Sequence, residues 1–290
     1  TESTITDTIT AGAGKFMKTY HGPEFRLSAR YAFTDNFSVK AGFNSMRQYI
    51  HKLSNTVIMS PTDTWKLSDV NIKPQRGWQA AAGLYLNSPS GIWEYSVEGY
   101  YKRMSDYLDY RGGAKLLMNH HIETDVINTQ GHAYGVELQV KKQVGKLNGW
   151  MSYTYSRTFL RQNDKRIEKP VNNGDWYPTE YDKPHDFKFV GNYKFTHRYS
   201  MSINVDYSTG RPTTIPAGQY YDESTQSMRV YYTERNSYRI PDYFRTDISF
   251  NIEPSHHLTL LTHSSISIGV YNVTGRKNVY SIYYLSLIHI

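Results

Sequence analysis

Phe187-Lys188-Phe189-Val190-Gly191-Asn192-Tyr193-Lys194-Phe195, then Thr196-His197-Arg198, then Tyr199-Ser200-Met201-Ser202-Ile203-Asn204-Val205-Asp206-Tyr207, is the stretch that decides the fold. Phe187, Phe189, Gly191, Tyr193 and Phe195 alternate with Lys188, Val190, Asn192 and Lys194, and Met201, Ile203, Val205 and Tyr207 alternate with Ser202, Asn204 and Asp206. A period of two sends successive side chains to opposite faces of a sheet. The stretch therefore reads as two amphipathic strands joined by a very short turn. Each strand is about as long as the roughly 9–11 residues that a tilted strand needs to cross a bilayer. The hairpin is read as membrane-spanning, and the chain as repeats of it.

The same pattern recurs on both sides of this hairpin. Phe25, Leu27, Ala29, Tyr31 and Phe33 share a face opposite Arg26, Ser28 and Arg30, and Phe37, Val39, Ala41 and Phe43 return after Thr34-Asp35-Asn36. Trp78, Ala80, Ala82, Leu84 and Leu86 pair in pattern with Trp93, Tyr95, Val97, Gly99 and Tyr101. Tyr134, Val136, Leu138 and Val140 pair with Met151, Tyr153 and Tyr155, and Ile248, Phe250 and Ile252 with Ile266, Ile268 and Val270. Short turns fall near Asp35, Pro89, Lys146, His197 and Leu258, with long polar segments between them. Bacterial outer-membrane barrels have short periplasmic turns and long extracellular loops. The spacing thus predicts an all-β, antiparallel transmembrane β-barrel segment of about ten strands, part of a larger barrel. Met228 to Thr233 is expected as a hairpin strand above the membrane, and Val279 to Tyr284 as a strand top.

Composition agrees. Mean hydropathy is −0.63, yet 15% of the residues are aromatic and 27 are Tyr. A barrel wall needs an apolar residue only at every second strand position, and Tyr suits the interface with an apolar ring and a polar tip. No run approaches the roughly 18 apolar residues of a membrane helix. The net charge of +7 is scattered among strands and loops, which argues against a nucleic-acid partner. Zero Cys removes disulfides and thiolate metal sites. Thr1 to Thr10 is polar and lacks the basic start of a secretory signal, so the chain reads as an internal piece of a longer one, with residues 1–284 barrel and residues 285–290 a non-native tail.

Signs of catalytic chemistry are sparse. His120-His121 and His256-His257 lack a further spaced ligand, and neighbouring side chains on an extended strand point apart. Glu94 and Glu98 share a polar face with Lys102, which suits cross-strand ion pairing better than acid–base work. Asn272-Val273-Thr274 is an accidental glycosylation match. No phosphate loop, nucleophile elbow or metalloprotease motif is present. The expectation is a protein that is not an enzyme, with no cofactor and no metal. Aromatic residues in two long segments, Trp176, Tyr177 and Tyr181 in one and Tyr220, Tyr221, Tyr231 and Tyr232 in the next, are the candidates for stacking on a ligand; the first three with Tyr220 and Tyr221 are the substrate-binding set.

Four segments carry a family resemblance. They are Asp182-Lys183-Pro184-His185-Asp186, Tyr207-Ser208-Thr209-Gly210-Arg211-Pro212, Gly135-Val136-Glu137-Leu138, and Val270-Tyr271-Asn272-Val273 with Lys277-Asn278-Val279-Tyr280. In order and at hairpin spacing they resemble the C-terminal barrel of a TonB-dependent outer-membrane receptor, of the kind common in Bacteroidetes. The resemblance implies a Gram-negative outer-membrane location and energised uptake of a large nutrient such as a glycan, peptide or metal chelate. It also implies lipid around the wall, the TonB complex acting through an N-terminal plug that this sequence does not include, and a surface lipoprotein as a further partner. A plug-free porin or secretion barrel is the alternative. An outer-membrane enzyme, and a soluble tyrosine-rich carbohydrate-binding β-protein, are further readings.

Overall fold

The computed structural model describes residues 12–53, 64–110, 125–162, 170–223, 226–253, 264–280 and 282. The strands are β1 (Phe25–Thr34), β2 (Phe37–Gln48), β3 (Ile50–Leu53), β4 (Thr64–Leu67), β5 (Gln75–Asn87), β6 (Trp93–Tyr110), β7 (Val126–Lys142) and β8 (Leu147–Gln162). They continue as β9 (Tyr177–Pro178), β10 (His185–Lys194), β11 (Tyr199–Ser208), β12 (Pro212–Thr213), β13 (Pro216–Asp222), β14 (Ser227–Tyr232), β15 (Tyr238–Arg239), β16 (Tyr243–Ile252) and β17 (Ile266–Val270). Ten of them form one antiparallel wall in the order β1-β2-β5-β6-β7-β8-β10-β11-β16-β17, each beside its predecessor in the wall, and β9 adds to the end of β8. Among the described residues β1 pairs only with β2, and β17 only with β16, so the wall is an open arc of barrel.

Ladder register sorts the side chains into two faces. One horizontal row runs Tyr31, Val39, Leu84, Val97, Leu138, Tyr153, Phe187, Tyr207 and Phe244. Its neighbour on the other face runs Ser38, Tyr85, Ser96, Gln139, Ser152, Lys188, Asp206 and Arg245. The apolar face is the more open one on β5 and β6, while on β10 and β11 Lys188 and Asn204 are exposed as well. Along β5 and the lower part of β6 the apolar residues are exposed while most of their polar neighbours are half-covered. Leu84 is 49% exposed, Val97 42% and Phe250 36%. A soluble protein would show the reverse. On a curved sheet the concave side crowds its side chains and the convex side splays them, so the apolar face is read as outward and the polar face as the lining. Only one small cluster of buried apolar residues forms among those described, Leu53, Ile72 and Val126 with Leu108 and Tyr110 packed on it, and it lies in the segments beyond the long-loop ends of the strands.

Local chemistry explains the tight turns. Thr34 Oγ1 accepts from Phe37 N at 3.0 Å and from Asn36 N at 3.3 Å. Thr196 Oγ1 accepts in the same way from Tyr199 N and Arg198 N, both at 3.2 Å. Hydroxyls that bond to backbone two or three residues on are typical of turns. Between β5 and β6, Ser88 Oγ accepts from Trp93 N at 3.0 Å, and Gly91 takes a φ of 67° that favours glycine.

The hairpin of β13 and β14 stands where a strand above the membrane was expected. Other parts differ. β7 begins at Val126, eight residues before the apolar alternation at Tyr134, and β6 runs on to Tyr110. Beyond the bilayer the start of β7 is buried at every position from Val126 to Thr129, so pairing continues without alternation. A bulge between Ser105 and Tyr107, with Asp106 at φ 55°, re-aims that extension. Val279 and Tyr280 lie in no strand, and Asn278 takes over the pairing by side chain, as described below. All of the expected turn from Pro254 to Ser264 except Ser264 itself, together with His120-His121, His256-His257 and the tail at 285–290, lies outside the described residues.

Candidate functional site: the extracellular mouth

The long segments gather at one end of the wall, and two of them are fastened to each other and to β6. The carboxylate of Asp109, near the end of β6, accepts from Tyr177 Oη at 2.5 Å and from Arg235 Nη1 at 2.6 Å. Arg235 Nη2 donates to the Tyr110 carbonyl at 2.7 Å. Arg235 N donates to Asn172 Oδ1 at 2.8 Å, and Asn172 Nδ2 returns a bond to the Arg235 carbonyl at 3.2 Å. Asn236 Nδ2 reaches the Pro178 carbonyl at 2.8 Å. Asn172 and Asn236 both hold positive φ, which Asn tolerates well among non-glycine residues. Burial and the neighbouring Asp109 carboxylate push the Tyr177 hydroxyl well up, so it stays a neutral donor.

A second joint lies at Asp182, whose side chain is fully buried. It accepts from Arg157 Nε at 3.2 Å, from Thr158 N at 2.7 Å and from Arg239 Nη2. Arg239 Nη1 also donates to the Asp182 carbonyl at 2.7 Å and to the Gly210 carbonyl at 3.0 Å. A third joint is Asp242. It accepts from Tyr207 Oη at 2.8 Å and from Gly210 N at 2.9 Å, and these two donors hold its carboxyl below the usual range. A Cβ on Gly210 would stand 1.7 Å from the Ile240 carbonyl oxygen, so this close approach admits only glycine.

The remaining two motif segments have comparable parts. A Cβ on Gly135 would meet the Tyr155 carbonyl oxygen at 2.7 Å and the Tyr100 ring at 2.9 Å, so the missing side chain lets Tyr100 lie across β7. Asn278 accepts from Phe244 N at 3.0 Å and donates to the Phe244 carbonyl at 2.9 Å, in the manner of a paired strand residue. Asn272, at φ 52°, turns the chain so that its backbone N–H meets Asp247 Oδ1 at 2.8 Å. All four motif segments thus hold backbone in place.

The five ligand-contact candidates separate. Tyr181, Tyr220 and Tyr221 are exposed. Tyr177 is 1% exposed and its hydroxyl is spent on Asp109, so it positions the segment and presents no surface to a ligand. Trp176 is exposed, but its ring meets the ring of His132 edge-on at 4.4 Å and lies under the Arg161 guanidinium at 5.1 Å, against residues of the outward face. Sequence reading did not single out Asp109, Asp182, Arg235 and Arg239 as joints; no local pattern marks partners 126 residues apart. On the inner face below the joints, a hollow of about 320 Å³ is lined by Lys183, Asp186, Lys188, Asp206 and Arg211 among others. Among the described residues no group of three or more His, Asp or Glu is placed to hold a metal.

A meandering antiparallel wall, apolar outside and polar inside with long segments at one end, is the architecture of an outer-membrane barrel. The chain belongs to the family described as TonB dependent receptor-like, beta-barrel, whose pattern matches residues 2–273. Solved structures agree on the fold. The ferripyoverdine receptor of Pseudomonas aeruginosa is 13% identical with a TM-score of 0.52, over 87% of this chain and 29% of that one. The FrpB iron transporter of Neisseria meningitidis is 13% identical with a TM-score of 0.55, over 87% and 35%. The outer-membrane transporter YddB of Escherichia coli is 12% identical with a TM-score of 0.52, over 85% and 36%. The chain therefore spans about a third of the length of these proteins. A search among curated proteins gives no match. The protein resides in the Gram-negative outer membrane, and its family and fold are those of transport receptors rather than enzymes.

Proposed function

We propose that the protein works as a TonB-dependent transport receptor that takes up a large nutrient, a glycan, a peptide or a metal chelate, against its gradient. The observation that carries this reading is the pairing of an outward apolar face and an inward charged face with family membership over nearly the whole chain. The wall lines one side of a wet passage through an apolar slab. The iron-related names of the first two receptors above favour a metal chelate as the first substrate to try. Tyr181, Tyr220 and Tyr221 are the residues that meet the ligand at the mouth, with the TonB complex supplying force through a plug. A surface lipoprotein over the mouth belongs to the same reading.

Accumulation of labelled ferric chelates, oligosaccharides and peptides by cells carrying the protein tests it, with and without a protonophore. One class should accumulate and stop when the proton gradient collapses, and replacing Tyr181, Tyr220 and Tyr221 by Ala should weaken its binding. Uptake that continues unchanged after the gradient collapses would instead mark a plug-free porin. Co-purification from surface-labelled cells checks the lipoprotein.

A further inference from the structure

β3 and β4 form a two-stranded sheet of their own at the long-loop end of β2. An isolated hairpin of two strands is marginal in water, so this one depends on what it packs against. Leu53 from β3 and Ile72 from the segment after β4 are buried with Val126, and Leu108 and Tyr110 pack on them. The bulge before Tyr107 decides which side of β6 the hairpin meets. Beyond it Leu108 and Tyr110 lie on one face, and Asp109 lies on the other, where it holds Tyr177 and Arg235. The end of β6 is thus held between the hairpin and the first mouth joint.

A titratable group sits in this contact. His51 shares the Leu53 face of β3 and is 3% exposed. Its Nε2 lies 3.0 Å from Ser68 Oγ. Its ladder partner Lys66 turns to Asp69 at 3.6 Å. Asp69 Oδ1 accepts from the backbone N–H groups of Asn71 and Ile72, both at 2.8 Å, and Tyr20 Oη donates to the Asp69 carbonyl at 2.7 Å. From β6 and β7 the packed residues are Leu108, Tyr110 and Val126, of which only the Tyr110 phenol titrates, far above neutrality. The carboxylates at those strand ends are Asp106, bound to Arg76, Asp109, on the far face, and Asp125, one residue before Val126. The charge that acts on the His51 ring is Asp69, which favours the protonated form, but burial outweighs it and holds the imidazole below its ordinary value. A protonated ring can still donate to Ser68, so its cost comes from lost hydration rather than from a lost partner.

We propose that His51 is an acid-released latch on the mouth: its neutral ring lets β3 and β4 sit on the end of β6, and its protonation frees the hairpin and loosens the Asp109–Arg235 joint behind it. The folded state favours the neutral ring. The hold is therefore full above about pH 6.5, the ordinary histidine value, and is lost as pH falls below it. The latch acts on the mouth itself and does not depend on what is transported.

Hydrogen exchange of the detergent-solubilised protein, corrected for the intrinsic pH dependence of amide exchange, tests the latch. Peptides covering 50–53, 64–72 and 233–239 should lose about tenfold in protection between pH 7.5 and pH 5.5, since one bound proton contributes about a factor of ten per pH unit below 6.5. β10 and β11 should stay protected. H51Q, which cannot titrate, should remove the pH dependence, and S68A, which keeps the ring, should retain it. The carbon-13 resonance of the His51 ring, assigned by its absence in H51Q, gives a reading that needs no folded hairpin in the variant, and it should titrate below about pH 6.5. Unchanged protection at pH 5.5, an equal loss in an H51Q protein whose hairpin is held at pH 7.5, or a ring that titrates at or above its ordinary value would overturn the proposal. A hairpin that loosens while 233–239 stays protected would overturn the link to the joint.

Discussion

Asp182 sits at the point where the loop after β8 turns back into β10, and two guanidiniums converge on its buried carboxylate. Removing one partner of a buried pair leaves the other charges without compensation. D182A is therefore expected to destabilise the mouth by about 3 kcal/mol, read as a lower urea midpoint of the detergent-solubilised protein. An unchanged midpoint would show that the joint contributes nothing. Asp242 gives a second residue-scale prediction, set by pH. Its folded pKa lies below the unfolded value, so its contribution is present above roughly pH 4 and fades as pH falls through the folded value. Thermal stability of the wild type should fall more steeply than that of D242N below that pH. Parallel curves would remove Asp242 from the set of joints. Sequence motifs led to Asp182 and Gly210 by resemblance, but their role was not legible. Arg239 comes from 57 residues away, and the Ile240 carbonyl that excludes a Cβ at Gly210 belongs to a different segment.

At the scale of the element, the alternation makes a directional claim about each strand. On β5, Leu84 is outward, and on β6 its neighbour Ser96 is inward. L84R should destabilise insertion by about 2–4 kcal/mol, whereas S96R should cost little because water fills that side. Folded yield from refolding into lipid vesicles measures both, and a larger loss for S96R would invert the faces. This much was legible, because a period of two over ten residues has one physical explanation when every second residue is apolar. The extensions of β6 and β7 beyond the membrane were harder to read. Asn128, Thr129 and Gln130 pair as strand without an apolar face, because successive residues from Val126 to Thr129 are all buried and no one face meets lipid. β3 and β4 were hidden in a polar segment for the same reason, and only their packing of Leu53 beside Ile72 reveals them.

For the whole molecule, regular short turns and long returns reveal a meander in sequence order, and the wall follows it from β1 to β17. A list of strands shows which residues share a face but not which face splays outward. Curvature resolves that, through the exposure of apolar residues beside half-covered polar ones. The chain contains no Cys, so single cysteines can be introduced without background labelling. The decisive measurement is spin-label accessibility in lipid vesicles at Leu84, Val97, Leu138 and Phe250, set against Ser96, Gln139, Lys188 and Asn204. The first group should collide with dissolved oxygen from the lipid and the second with a water-soluble nickel chelate. Nickel access at Leu84 and Val97 together with oxygen access at Ser96 and Lys188 would contradict a wall that is apolar outside and wet within.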